Sequence, residues 1–144
     1  AASDVYKRQA KMLGLRDLSS FVEATVRNHA PDGITELDFA GSKLFLPTIN
    51  TPLGRKVRLR ILAKDITLAI NKPQKISALN ILKGEVVEII IGSGPGAVVG
   101  IKVGNHKLIT RITQRSLNVM DLKLGKTCFA FLKSVSVATS DIIV

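Results

Sequence analysis

The sequence has 144 residues, of which 46% are hydrophobic and 4% are aromatic, with no tryptophan. This length suits one ordinary domain or two very small ones, and the hydrophobic fraction argues against wholesale disorder. The formal net charge of +10, from 21 Lys and Arg against 11 Asp and Glu, favours an anionic partner. Because the chain has no block of five or more basic residues, a dedicated nucleic-acid-binding arm is not indicated.

The apolar segments of the chain are short. The longest, residues 86–91, contains Glu88 and falls far below the roughly 20 residues that span a bilayer. No uncharged apolar segment follows the N-terminal charges, so we expect no secretory signal. The single cysteine, Cys128, lies among apolar residues and is expected to be a buried thiol rather than a nucleophile. A lone cysteine allows no disulfide within the chain, which fits a reducing cytoplasm.

In chain order, residues 1–14 come first and have no counterpart later; we expect a non-native or disordered tail, with a short native helix as the alternative. From Phe21 onward the pattern is one of short strands separated by turn residues. In the first half, strands are predicted over residues 21–26, 34–39, 43–46, 56–62 and 65–70. In the second half, strands are predicted over residues 84–89, 98–103, 107–113, 126–133 and 135–137, with residues 92–96 as a glycine-rich hairpin loop.

The two halves form a loose internal repeat. Residues 37–44 match residues 101–108 without a gap, and Gly54 meets Gly125 after a slip of about seven residues. The extra residues fall at 113–122 of the second copy. Short strands at this spacing, without helical patterns between them, are typical of small barrels or sandwiches. We therefore predict an all-β fold of two tandem small OB-like β-barrels, over residues 15–72 and 73–140.

Catalytic motifs are missing from the sequence. No Gly-x-x-x-x-Gly-Lys-Ser/Thr loop is present, and residues 92–96 join two predicted strands, so no nucleotide site is expected in this chain. His29 and His106 fall in predicted turns and lack the spacing of a metal site. No pair of acidic residues suggests glycoside hydrolysis. We therefore expect neither a metal site nor enzymatic activity from this chain.

Hydrogen-bond donors gather instead in three short blocks, at residues 77–80, 113–116 and 133–134. Each block has an ordinary structural explanation when it is taken alone. Ser77 suits the cap of a helical turn, residues 113–116 suit a turn, and Lys133 suits a solvated strand end. Their order along the chain is more specific than any one of them.

Four blocks of the sequence lie at residues 76–84, 112–116, 122–125 and 131–135. Their order and spacing resemble those of the Mop domain, the molybdate-binding module of molybdate storage proteins, regulators and importers. Upstream, residues 54–66 followed by Pro73 look like the C-terminal region of the ATP-binding subunit of molybdate ABC transporters. The resemblance covers about residues 15–138 and is to the TOBE-type regulatory region of that subunit. It implies that the second barrel is a Mop domain.

The resemblance implies an oxyanion-binding module whose ligand is molybdate or tungstate, with molybdenum present only as the oxyanion. The implied site residues are Ser77, Ala78, Leu79, Thr113, Ser116, Lys133 and Ser134. Leu79 stands where many Mop domains have Arg, which removes a possible cationic contact. A homodimer with sites where two subunits meet is also implied, with an ABC motor domain and membrane permease subunits as further partners. The protein would then be cytoplasmic and peripheral to the membrane, and would inhibit transport by feedback when the oxyanion is plentiful.

The residue types suit this ligand. Molybdate is a tetrahedral dianion that accepts hydrogen bonds and donates none, so a good site offers donors and positive charge and keeps carboxylates away. Lys133 would supply a charge-assisted bond, and residues 77–80 would present backbone N–H groups at a helical start. No Asp or Glu lies inside the four blocks.

Two other classes of function stay open. The first is a structural dimerisation domain of an ABC importer ATPase with a degenerate site, which Leu79 keeps open. The second is an oligonucleotide-binding barrel, which the charge and the fold allow. Base stacking needs exposed aromatic side chains, and the five Phe and one Tyr fall mostly in alternating core positions or in the N-terminal tail. We therefore expect no nucleic-acid partner.

Overall fold

The structure, a computed structural model, describes residues 18–138 and 142–143, so the predicted tail at residues 1–14 lies outside the described residues. The strands are β1 (Ser19–His29), β2 (Ile34–Phe39), β3 (Ser42–Pro47), β4 (Lys56–Leu62), β5 (Thr67–Ala69), β6 (Asn80–Ile91), β7 (Gly96–Val103), β8 (His106–Thr113), β9 (Thr127–Leu132) and β10 (Ile142–Ile143). The helix α1 spans Gln114–Val119, and two 3₁₀ helices span Ala63–Asp65 and Ser134–Ser136. The predicted all-β fold class is confirmed.

The ten strands of the described ranges form two five-stranded antiparallel sheets. The first sheet has the order β10-β4-β1-β2-β3, and the second has the order β5-β9-β6-β7-β8. Alternation decides which face is buried: in β4, Val57, Leu59 and Ile61 are buried while Lys56 and Arg58 are exposed. One continuous apolar core contains residues of both sheets, including Cys128, so the predicted buried thiol is confirmed.

The internal repeat is confirmed in three dimensions. Each half has a β-bulge in its first strand, immediately after Val26 in β1 and after Val86 in β6. Gly54 and Gly125 have nearly the same positive φ, +86° and +89°, and each donates its N–H to the carbonyl of the bulge valine at 2.7 Å. Glycine is suited to this position because a left-handed backbone is strained for other residues.

Each half of the chain supplies the outermost strand of the other half's sheet. β5 follows β4 in the sequence but pairs with β9, with Leu68 opposite Ala130. In return, β10 pairs with β4, with Ile142 opposite Leu59. The predicted boundary between residues 72 and 73 stays a prediction. On each side of that boundary, one strand pairs with a strand from the other side.

Equivalent hydrogen bonds tie the two halves together at their interface. The amide of Ile109 in β8 donates to Oγ of Ser20 in β1 at 2.8 Å. The amide of Phe45 in β3 donates to Oδ1 of Asn80 in β6 at 2.6 Å, and Nδ2 of Asn80 donates to the carbonyl of Phe45 at 3.1 Å. Ser20 and Asn80 hold matching places in the repeat, as do Ile109 and Phe45, so the halves are related by an approximate two-fold axis. These bonds also cover part of two sheet edges.

Two local predictions were wrong, and one short helix was not predicted. Residues 135–137 alternate like a strand, but Ser134–Ser136 form a 3₁₀ helix, closed by a bond from the Ser136 amide to the Lys133 carbonyl at 3.0 Å. Residues 77–80 form no helical start, because Asn80 already pairs with Leu132 as the first residue of β6. The extra residues 113–122, in which the sequence shows no helical pattern, contain the short helix α1.

Candidate functional site

A cavity of about 330 Å³ opens at the end of the second sheet where β9 finishes and β5 begins. Its walls are formed by Lys64, Asp65, Thr67, Ile76, Ser77, Ala78, Phe131, Leu132, Lys133 and Ser136. Pairing of Thr67 with Phe131 explains the assembly, since residues that precede β5 and residues that follow β9 then lie at the same end of the sheet. The volume falls within the range of small-molecule sites.

Three of the residues implied by the resemblance line this cavity: Ser77, Ala78 and Lys133. Ser77 and Lys133 are exposed, whereas Ala78 is buried. Leu79 follows Ala78 without lining the cavity, and its side chain is 48% exposed. Ser134 follows Lys133 and is 6% exposed; its Oγ makes no hydrogen bond to any described residue.

Thr113 and Ser116 lie elsewhere and have a structural role of their own. Thr113 is the N-cap of α1: its Oγ1 accepts a bond from the Ser116 amide at 3.0 Å and donates to the Ser116 Oγ at 3.0 Å. The chain leaves α1 to enter β9 at Thr127, whereas Lys133 follows the last residue of β9. Neither Thr113 nor Ser116 lines the cavity beside Lys133.

Sequence reasoning missed Lys64, Asp65, Thr67 and Ser136. The first three lie in the first half of the chain, and only the pairing of β5 with β9 brings them to this end of the second sheet. Asp65 departs from the expectation that carboxylates stay away from the site. The internal repeat does relate two of these residues, because Asp65 and Ser136 end the two 3₁₀ helices at matching places.

The repeat also provides a comparison within the molecule. Leu62 and Lys133 precede the two 3₁₀ helices with nearly the same backbone, φ −73° and ψ 134° against φ −69° and ψ 143°. Where the second half has Lys133 and Ser134, the first half has Leu62 and Ala63. The same turn therefore forms without these polar side chains, and folding does not require them.

The charge around the cavity is mixed. Lys64 and Lys133 bring positive charge, and Asp65 brings one negative charge. Among the described residues, no ion pair within 4 Å joins Asp65 to either lysine. In the same part of the chain, no group of three His, Cys, Asp or Glu side chains has the arrangement of a metal site.

The glycine-rich loop at residues 92–96 joins β6 to β7, as predicted. Nε2 of Gln114 donates to the carbonyls of Gly92 and Gly96 at 3.4 and 3.3 Å and also to that of Gly94. Because carbonyl oxygens rather than amides converge at its centre, this loop has the wrong polarity to cradle an anion. Within residues 18–138 and 142–143, no helix has the length and hydropathy of a membrane span.

Comparisons with known proteins agree with this architecture. Residues 76–139 match the TOBE domain family. The fold is similar to that of the cytoplasmic molybdate-binding protein ModG, in a crystal structure with molybdate bound: the TM-score is 0.72, with 23% identity, and the match covers 87% of this chain and 95% of that one. At that identity the similarity concerns the fold, and it is consistent with the predicted pair of OB-like barrels.

The curated relatives indicate a particular group of proteins, whereas the structural similarity concerns the fold. The chain is 39% identical over 111 residues to the molybdenum import ATP-binding protein ModC of Mesorhizobium japonicum, covering 77% of this chain and 30% of that protein. It is 32% identical over 136 residues to ModC of Rhizobium etli, covering 94% of this chain and 38% of that protein. The chain thus spans about a third of the length of these relatives.

The segment that matches the TOBE domain family contains β6 to β9 of the second five-stranded sheet. Over 111 to 136 residues the chain is similar to one region of the molybdenum import ATP-binding proteins named ModC. The resemblance drawn from the sequence is confirmed.

Proposed function

We propose that this chain is an oxyanion-sensing module that binds molybdate or tungstate at the cavity beside Lys133, within the ATP-binding subunit of a molybdate importer. The observation that carries the proposal is the difference between the two halves. Lys133 and Ser134 replace Leu62 and Ala63 on the same backbone, beside a cavity that Ser77 also lines. The printed names of the relatives, a molybdenum importer subunit and a molybdate-binding protein, support the choice of ligand.

The walls of the cavity offer what a tetrahedral dianion needs. Lys133 and Lys64 provide ammonium donors, and Ser77, Thr67 and Ser136 provide hydroxyl donors. Charge-assisted bonds of this kind are roughly twice as strong as neutral ones, so Lys133 is the side chain on which we expect affinity to depend most.

A second copy of the chain would complete the site. Thr113 and Ser116 do not line the cavity beside Lys133, and the α1 start of a partner would bring them to it. Ile76 and Leu79 at or near the cavity, and Val119 on α1, are exposed apolar side chains that such an interface would bury.

The regulatory consequence is feedback on transport. A bound oxyanion would stabilise a dimer geometry in which the motor domains stay apart, with the permease subunits as membrane partners and the module on the cytoplasmic side. The ligand shifts that equilibrium only through its differential affinity for the two geometries. No nucleotide binds to the module itself, and it carries no catalytic step.

Calorimetric titration of the chain with molybdate tests the proposal, with sulfate as the competing anion. Lys133→Ala should weaken molybdate binding by one to two decades, because a hydrogen bond to a charged group is worth about 1.5–3 kcal/mol. Lys102→Ala removes an exposed lysine of β7 that does not line the cavity, and should leave the affinity unchanged. Absence of heat with molybdate, or equal losses in the two variants, would contradict the proposal.

A structural dimerisation domain is the second candidate, because Leu79 presents an apolar side chain beside the cavity. A dimer of unchanged stability with and without molybdate would favour it. An oligonucleotide-binding role has less support. Phe21 is the one phenylalanine that is more than a third exposed in the described ranges, and Arg58 covers its ring at 4.4 Å from the centroid.

A further inference from the structure

We propose that Asp65 sets the ligand preference of the cavity, acting as a fixed negative charge that weakens the binding of fully deprotonated oxyanions; this rests on the proposed function of the cavity. Asp65 lines the same cavity as Lys133 and Ser77, although it comes from the other half of the repeat.

Hydrogen bonds from β8 hold the backbone on both sides of Asp65. Asp65 ends the 3₁₀ helix Ala63–Asp65, whose first residue is fully buried. The buried hydroxyl of Thr110 in β8 donates to the carbonyl of Ile66 at 2.8 Å and lies 3.4 Å from the carbonyl of Ala63. These bonds fix both sides of Asp65, so a bound ligand cannot displace its backbone without breaking them.

Asp65 shares the cavity with Lys64 and Lys133 but forms no ion pair within 4 Å among the described residues. Its counterpart in the repeat is Ser136, which lines the same cavity and carries no charge. A neutral polar residue therefore fits the end of this turn, and folding does not explain the carboxylate.

The chemistry follows from hydrogen-bond roles. A carboxylate accepts hydrogen bonds, and molybdate, tungstate and sulfate also only accept, so their oxygens and those of Asp65 repel. Hydrogen phosphate carries one hydroxyl that can donate to Asp65, which offsets the repulsion. Asp65 thus lowers affinity for the deprotonated dianions while sparing a protonated one. A sensor gains from this, because moderate affinity lets it release molybdate when the concentration falls.

The test is titration of the chain and of Asp65→Asn with molybdate, sulfate and phosphate. Asparagine has the same shape, and one of its two terminal groups becomes a donor. We expect the Kd for molybdate to fall about tenfold in Asp65→Asn, as removal of a unit charge near a dianion should do. The Kd for phosphate should stay the same or rise. Thermal unfolding of the variant confirms that it is folded.

Asp32→Asn is the matched control. Asp32 is an exposed carboxylate in the β1–β2 turn whose Oδ1 accepts a bond from the Ile34 amide, a role that asparagine retains. It changes the net charge equally and should leave all three affinities unchanged. A wild-type chain that binds molybdate no more weakly than Asp65→Asn would overturn this inference alone. Absence of molybdate binding by both the wild-type chain and Asp65→Asn would overturn the proposed function, and the inference with it.

Discussion

Two buried hydroxyl groups, those of Thr51 and Ser134, have no hydrogen-bond partner within the described ranges. Thr51 lies in the connection between β3 and β4, where its carbonyl accepts a bond from Nε2 of His29 at 2.7 Å. Ser134 lies one residue beyond Lys133 at the cavity. An unsatisfied buried hydroxyl destabilises a fold by about 1–3 kcal/mol, so each needs a physical reason. We propose that an oxyanion bound beside Lys133 supplies that reason for Ser134, whereas Thr51 does not line the cavity.

Ser134→Ala and Thr51→Val should separate stability from binding. Both remove an unpartnered hydroxyl, so each should raise the free energy of unfolding of the ligand-free chain by about 1 kcal/mol. Ser134→Ala should also weaken molybdate binding, whereas Thr51→Val should not. Urea denaturation and calorimetry measure the two quantities. If Ser134→Ala destabilised the free chain, its hydroxyl would be serving the fold.

The sequence could predict part of the site at this scale. Ser77, Ala78 and Lys133 carry the resemblance and lie together at the cavity. Lys64 and Asp65 could not be predicted, because they reach the cavity only through a pairing between β5 and β9 that no local pattern encodes. Leu79 is exposed and follows Ala78 without lining the cavity.

At the scale of elements, α1 is the main difference between the two halves. It occupies the extra residues of the second copy, and Lys126 closes its far end by donating from Nζ to the carbonyls of Met120 and Asp121, each at 3.0 Å. The sequence did not reveal this helix because six residues are too few to show a helical period. Thr113 caps this helix. The proposed function gives it a second role, as a hydrogen-bond donor to the ligand.

Thr113→Asp distinguishes those two roles. Aspartate is among the best N-cap residues, so α1 and the free energy of unfolding should be retained, whereas Thr113→Ala should lose about 1 kcal/mol. A carboxylate that replaces a donor to an oxyanion should weaken binding, because the two like charges repel. We expect a stable Thr113→Asp chain with molybdate affinity lowered by at least a factor of about ten. Wild-type affinity in this variant would leave Thr113 as a cap alone.

For the whole molecule, the interleaved sheets predict a single unfolding transition. Leu59 in the first sheet and Leu82 in the second are both fully buried in one core. Replacing either with Ala should cost about 2–5 kcal/mol, and amide hydrogen exchange should then quicken in both sheets. Loss of protection confined to the sheet that carries the substitution would show two independent units.

The repeat was visible in the sequence because matching side chains recur in order, and the all-β fold followed from short alternating strands. Strand exchange was not visible, since β5 and β10 are three and two residues long and carry no pairing signal of their own. The strand predicted over residues 135–137 was wrong because the segment is also short. Alternation over three residues fits a strand and a 3₁₀ turn equally well.

The exchange of edge strands changes what the connection between the halves has to do. Residues 71–75, which link them, are largely exposed to solvent. Were this tether cut, the N-terminal piece would still hold β5 against β9, and the C-terminal piece would still hold β10 against β4. The two halves thus resemble two subunits that have exchanged their edge strands and are joined by a peptide link.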